Sequence, residues 1–438
     1  MRRKRFMAIL GACVVAGGLL SACGSSGDSQ SSSANTTDSS SAQSGTEAKQ
    51  IKITFWNAYS ATDGEKKTIV HKVIPAFEKA NPNIKVQNVT LPYDKMKSKL
   101  LTSVAGGELP DVARLDIIWV AQLAKLGSLV PENDLSGFSD LSKKVFKGPL
   151  STSLYNGKYY GLPLDTNTKV LFSNTKLLAK HGISQPPKTM DEFIADIKKI
   201  TSGSGKNKVY GYILPGTSPW QLVPWISSFG GSILSPDGKK AEGYLNGPKS
   251  VKAVSTLVNL FKQGYITGLL PGANGDIDGL GNGQYGMVDE GPWDVPVMAK
   301  TYPDVKYKLS PFPAGPGGSK EVVGGEDISV FKTDDAHQKA AWKFEKFMMQ
   351  PKVQGWMQSV GQMSTLKDLP ASASKGADYF KVFREQLKTS VARPVTPQFD
   401  EVKKAIENAV ASAAQGKMSV KAALDQAAKQ IDAVLQQN

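Results

Sequence analysis

Two cysteines and three histidines are all that this chain of 438 residues offers to thiol and imidazole chemistry. Both cysteines, Cys13 and Cys23, stand at the extreme N-terminus. The body that follows therefore holds no disulfide, no thiolate nucleophile and no cysteine metal cluster. His71, His181 and His337 are far apart and have neither metal-ligand nor triad spacing. No apolar run reaches the roughly 20 residues of a membrane-spanning helix. The formal charge is +14, yet the lysines are scattered through segments such as "KMKSKL" and "DIKKI" without interleaved aromatics. That pattern describes a solvated surface, not a nucleic-acid site.

Several short motifs also lead nowhere. "GNGQYG" (Gly281 to Gly286) satisfies the spelling of a dinucleotide loop, but it reads as having neither a strand before it nor a helix after it. "DIDGLG" from Asp276 begins like a calcium loop, and Leu280 and Met287 then occupy ligand positions. "SGKN" (Ser204 to Asn207) lacks the upstream glycine and the hydroxyl residue of a phosphate loop. No metal, cofactor or catalytic residue is expected.

What is present begins at the N-terminus. Arg2, Arg3, Lys4 and Arg5 precede an apolar run from Phe6 to Leu20, the layout of a secretory signal. Leu20-Ser21-Ala22-Cys23 resembles a bacterial lipobox, in which cleavage before the cysteine exposes a thiol for diacylation. Residues 1–22 are thus expected to be removed, which lowers the charge to +10 and leaves Cys23 as the lipidation site. Two acyl chains hold a protein stably to a bilayer where one does not. Residues 23–50 then comprise the lipidated cysteine and a serine-rich tether too polar to fold. The expected location is the extracellular face of the bacterial cytoplasmic membrane.

The rest of the chain is longer than one core supports, so two lobes are expected. "IKITFWNAYS" alternates Ile51, Ile53 and Phe55, then breaks into polar and aromatic residues, and reads as a strand delivering a loop. A helix over "EKKTIVHKVIPAFEKANPN" and a strand over "NIKVQNV" follow, an α/β unit with a parallel sheet. "YDKMKSKLLTSVAGG" and "VAQLAKLGSL" read as helices and "PDVARLDI" as a strand. The C-terminal helix carries Val420, Leu424, Ala427 and Ile431 on one face, with Ser419 as N-cap.

"IPAFEKANPNIKVQNV", "LLTSVAGGELPDVARLD", "GLPLDTNTKVLFSNTKLL", "PPKTMDEFIADIKKI", "DEGPWD" and "AWKFEKFM" stand in the order found in sugar-binding lipoproteins of ABC importers. In this the chain resembles maltose-binding-protein-like solute-binding proteins from about residue 51 to its end. The resemblance implies an α/β, two-lobed periplasmic-binding-protein-like (type II) fold with a ligand cleft between the lobes. One lobe would hold 51–165 and 318–366, the other 166–317 and 367–438. "LDTNTK" and "SPFPAGPGG" would be hinges, stiffened by Pro311, Pro313 and Pro316. Function would be capture of a carbohydrate, delivered by lobe closure to the membrane subunits of an importer, with the receptor acting as a monomer. An α-linked di- or oligosaccharide such as a maltodextrin is the expected ligand.

A sugar needs aromatic platforms and fixed hydrogen-bonding groups in a concave site. Trp342 and Trp356 sit in helical sequence and read as core, while Trp56, Trp119, Trp220, Trp225 and Trp293 have loop-like surroundings, with Trp225 packing beneath Trp220. The resemblance points to Trp293, in its Gly-Pro-Trp setting, and to Trp220 as stacking residues. Trp56, Asn57 and Tyr59 follow the first strand. Asp116 and Trp119, then Asp165 and Asn167, match family positions that meet sugar hydroxyls. Asp294, Glu326, Asp327 and Arg393 are further hydroxyl partners, with Gly324 and Gly325 allowing close approach. Two other readings stay open on the residues alone. One is a receptor for a peptide or polyamine. The other is a secreted glycoside hydrolase with a carboxylate pair drawn from these acids.

Overall fold

The computed structural model describes residues 50–59, 63–370 and 378–436. The expected signal segment, Cys23 and the tether up to residue 49 lie outside them. Among the described residues, thirteen strands form two main sheets and a small hairpin. In chain order they are β1 (Ile51–Asn57), β2 (Ile84–Thr90), β3 (Val112–Asp116), β4 (Leu154–Tyr155), β5 (Lys158–Tyr159), β6 (Leu162–Thr168) and β7 (Val170–Asn174). They continue with β8 (Tyr210–Ile213), β9 (Ile266–Thr267), β10 (Tyr285–Glu290), β11 (Tyr307–Ser310), β12 (Val322–Val330) and β13 (Val391–Ala392).

The first sheet runs β13-β12-β3-β1-β2, with β6 also paired to β12. β1 is parallel to β2 and β3, as the strand–helix–strand pattern requires. β12 is antiparallel to both β3 and β6. The second sheet runs β11-β7-β10-β8-β9. Each sheet has its own apolar layer. Phe55, Phe77, Phe344 and Trp342 gather against the first sheet. Tyr212, Trp225, Met287, Ile406 and Ile431 gather against the second, under helices Phe399–Ala414 and Val420–Leu435.

Local signals account for much of this. Ser419 caps its helix by accepting from Ala422 N at 3.2 Å. Gly127, at φ 72°, ends the helix Ile117–Lys125 where a side chain would be strained. A capping box at Thr189 and Glu192 starts the helix Met190–Ile200. The loop-like reading of four tryptophans is corrected, and Trp56 and Asn57 end β1 instead of following it. Trp119 lies in the helix Ile117–Lys125, and Trp220 and Trp225 lie in the helix Pro219–Ser228. Pro219 sits in that helix's first turn, where a missing N–H costs nothing, and Pro224 is tolerated within it.

The chain passes between the sheets at Lys169, the one residue between β6 and β7, and again between Ser310 and Val322. Thr168 Oγ1 lies 2.8 Å from both Val322 O and Ser390 Oγ, so three segments meet where the sheets meet. Among the described residues, no helix is long and apolar enough to cross a membrane.

Candidate functional site

Strand register builds the site's charged wall. Glu326 of β12 stands opposite Asp116 of β3 on one side and Asp165 of β6 on the other. Three carboxylates in one row would repel, and two arginines answer them. Arg114 is two residues before Asp116 on β3, hence on the same face. Its Nε donates to Asp165 Oδ2 at 3.1 Å, and its Nη2 lies 2.7 Å from Glu326 Oε2. Nη2 also donates to Gln362 Oε1 at 2.9 Å, and the guanidinium rests 4.4 Å from the Tyr59 ring centroid. Arg393 Nη2 donates to Asp116 Oδ1 at 2.8 Å, with Nη1 at 3.4 Å from Oδ2. Burial lifts the Glu326 carboxyl well above the usual range; Arg114 opposes the shift and Asp165 adds to it.

These groups border a cavity of about 490 Å³, a volume suited to a small-molecule ligand. Asp116, Asn167, Trp220, Trp293, Glu326 and Arg393, all named from sequence, line it together. The Trp220 and Trp293 rings are stacked at 6.4 Å and 29°. The Arg393 guanidinium lies 5.1 Å from the Trp220 ring centroid. Among the described residues, Asn167 Oδ1 and Arg393 Nε are buried without a hydrogen-bond partner, one an acceptor and the other a donor. Gly324 stands opposite Asn167 in register, and a Cβ there would lie 2.1 Å from Asn167 Oδ1 and 2.7 Å from the Trp220 ring. Gly291 is needed in the same way, because a Cβ would meet the Trp293 ring at 2.2 Å.

The other named residues lie off the cavity wall. Trp56 and Trp119 pack into the apolar layer with Met96 and Leu115. Asn57 is fully buried, donating to Asn88 Oδ1 at 2.7 Å and accepting from Thr90 Oγ1 at 3.1 Å. Tyr59 lies beneath Arg114, and Asp165 holds that arginine from the side. Asp327 points to the opposite face from Glu326, as strand alternation dictates, and accepts from Thr152 Oγ1. Asp294 keeps some accessible surface at the start of its helix. Burial and nearby Asp276 push its carboxyl up to about 8, against hydrogen bonds from Glu290 and Trp293.

Among the lining residues, sequence reading missed Glu65, Tyr93, Arg114, Gln362, Phe399 and Lys403. The Arg114–Asp116 spacing could have been found, since period two puts both on one face. Glu65 and Gln362 meet only through the fold, Gln362 Nε2 donating to the Glu65 carboxylate. Tyr93 and Phe399 each begin a helix, and Lys97 of helix Tyr93–Gly106 pairs with Asp400 of helix Phe399–Ala414 at 2.6 Å.

Comparison with known proteins places this geometry. A family model described as bacterial extracellular solute-binding protein matches residues 72–380. The chain is 27% identical over 407 residues to a binding protein of Brucella abortus, covering 90% of this chain and 95% of that one. It is 26% identical over 354 residues to the diacetylchitobiose binding protein of Streptomyces coelicolor, covering 79% and 78%. Among solved structures, the cyclic α-maltosyl-1,6-maltose binding protein of Arthrobacter globiformis is similar, with a TM-score of 0.74 and 25% identity. That match covers 89% of this chain and all of the other. The shared fold is the two-lobed architecture of maltose-binding-protein-like receptors.

Proposed function

The chain belongs to the family of bacterial extracellular solute-binding proteins, and from that premise we propose that it captures a neutral di- or oligosaccharide for an ABC importer. The carrying observation is the stacked pair Trp220 and Trp293 beside a wall of fixed donors and acceptors. Indole faces suit the flat C–H faces of a sugar ring, and the polar groups suit its hydroxyls. Asn167 Oδ1 accepts from one hydroxyl and Arg393 Nε donates to another. Asp116 and Glu326, each held by an arginine, present fixed carboxylate oxygens. A carboxylate bonded to an arginine, as Asp116 is to Arg393, suits accepting from a hydroxyl. Relatives that bind diacetylchitobiose and a cyclic maltosyl-maltose support the ligand class, and an α-linked glucose oligomer is the specific expectation.

In this reading the two sheets lie at the cores of two lobes, with β13 from the second lobe's last segment reaching across to pair with β12 of the first sheet. The lobes divide at 51–165 with 318–366 and 166–317 with 367–438, and close about the crossings when sugar bridges them. Cys23 carries the lipid anchor on the outer face of the membrane, and the closed monomer docks on the importer's membrane subunits.

A thermal-shift panel of maltotriose, diacetylchitobiose, galactooligosaccharides, peptides and polyamines tests the reading. A rise in Tm with a sugar and with no peptide or polyamine supports it. A rise with spermidine or a peptide alone overturns it. Release of shorter sugars from labelled oligosaccharide would assign hydrolysis instead.

A further inference from the structure

Two of the chain's passages between the sheets deliver a charged side chain to one buried point. Lys169 is the residue between β6 and β7, and Glu321 immediately precedes β12. Both are fully buried, and so is Asp289 of β10. Lys169 is ion-paired with Asp289 and donates to Gln221 Oε1 at 2.8 Å. Asp289 also accepts from the Tyr212 hydroxyl, which lies 3.5 Å from Trp225 Nε1.

Such a cluster is a poor way to gain stability, because desolvating charges offsets most of their attraction and an apolar residue would pack as well. Burial alone would strip the Lys169 proton, but Asp289, Glu321 and Glu290 outweigh it and the ammonium stays charged. Burial, opposed by Lys169 and reinforced by Asp289, holds Glu321 well above the usual carboxylate range.

What the ammonium touches explains its presence. Gln221, which it holds by a hydrogen bond, directly follows Trp220 in the helix Pro219–Ser228. The Trp220 ring centroid itself lies 5.6 Å from Lys169 Nζ, within cation–π range. Two residues before Lys169, on β6, Asn167 lines the cavity. We propose that Lys169 is a positioning residue for the ligand platform, tying the Trp220 indole to the strand crossing so that the site's aromatic floor and its Asn167 acceptor keep one relative placement. Backbone rotation at Lys169 then shifts the ammonium against the indole, which couples lobe movement to the platform. The proposal rests on the reading of Trp220 as a sugar platform.

Removing Lys169 alone strands Asp289, so the test uses K169M/D289N, which removes both charges. In protein labelled with 5-fluorotryptophan, the Trp220 resonance, identified by its loss in W220L, should shift and broaden in K169M/D289N. The Trp342 and Trp356 resonances should stay in place. An unmoved Trp220 line overturns the proposal with no sugar present. Calorimetry with maltotriose and diacetylchitobiose then closes a double-mutant cycle. K169M/D289N should weaken binding about fivefold or more beside Trp220 and less than about twofold in the W220L background. Equal losses in both backgrounds would make Lys169 merely structural. Unchanged affinity in W220L alone would instead count against Trp220 as a platform.

Discussion

Lys97 and Asp400 pair at 2.6 Å, joining a helix packed on the first sheet to a helix packed on the second. Lys97 is 16% exposed and Asp400 46%, so water and salt weaken the bond. A pair of this kind is worth up to about 1 kcal/mol, or roughly fivefold in an equilibrium. Lys97→Met should therefore raise the open fraction of the sugar-free protein. Small-angle scattering should show a larger radius of gyration for the variant than for the parent at low salt, and the difference should shrink in high salt. Superimposable profiles at low salt would deny the pair any part in closure.

Gly324 makes room for the two groups that sandwich it. Its φ is not in the left-handed region, so an alanine suits the backbone and the cost falls on side chains alone. Gly324→Ala puts a methyl 2.1 Å from Asn167 Oδ1 and 2.7 Å from the Trp220 ring. Overpacking of this size costs about 1–3 kcal/mol. Trp220 borders open space and is the group that yields. Calorimetry should show sugar affinity lower by about tenfold, equal to about 1.4 kcal/mol, with little change in Tm. A fall in Tm with affinity intact would place the strain in the sheet.

Glu132 and Glu345 form a second buried pair, remote from the cavity lining and fully enclosed in the first sheet's layer. Burial pushes Glu132 up to about 8, against a hydrogen bond from Glu345, and burial with Glu132 beside it lifts Glu345 well above its usual range. Between the ordinary value of 4.5 and about 8, the folded state binds protons that the unfolded chain has released. Stability is therefore present in full below 4.5 and declines as pH rises through that window. Calorimetric scans from pH 5 to pH 9 should show Tm falling more steeply for the parent than for Glu132→Gln. Parallel curves would remove the pair as the cause.

Parts of this molecule were legible in sequence because they obey local periods. Ile51, Ile53 and Phe55 announce β1, and Ser419 announces the last helix. Asp116 holds two roles at once. It caps the helix Ile117–Lys125 through Ile118 N at 3.0 Å, and it also lines the cavity through Arg393. Period two would have separated Glu326 from Asp327 and joined Arg114 to Asp116, had strand faces been applied there. Pro219 and Pro224 disguised the helix that carries Trp220. Glu65 and Gln362 were beyond reach, since only the tertiary structure brings residues so distant in sequence together.

The central claim is that the stacked indoles form a sugar platform, and calorimetry on Trp293→Ala tests it most directly. Trp293 is half-buried at the cavity wall and contributes little to the core. Its removal should weaken binding of the sugar selected by the panel at least about tenfold, while the apo Tm stays nearly unchanged. Sugar affinity equal to that of the parent would contradict the account.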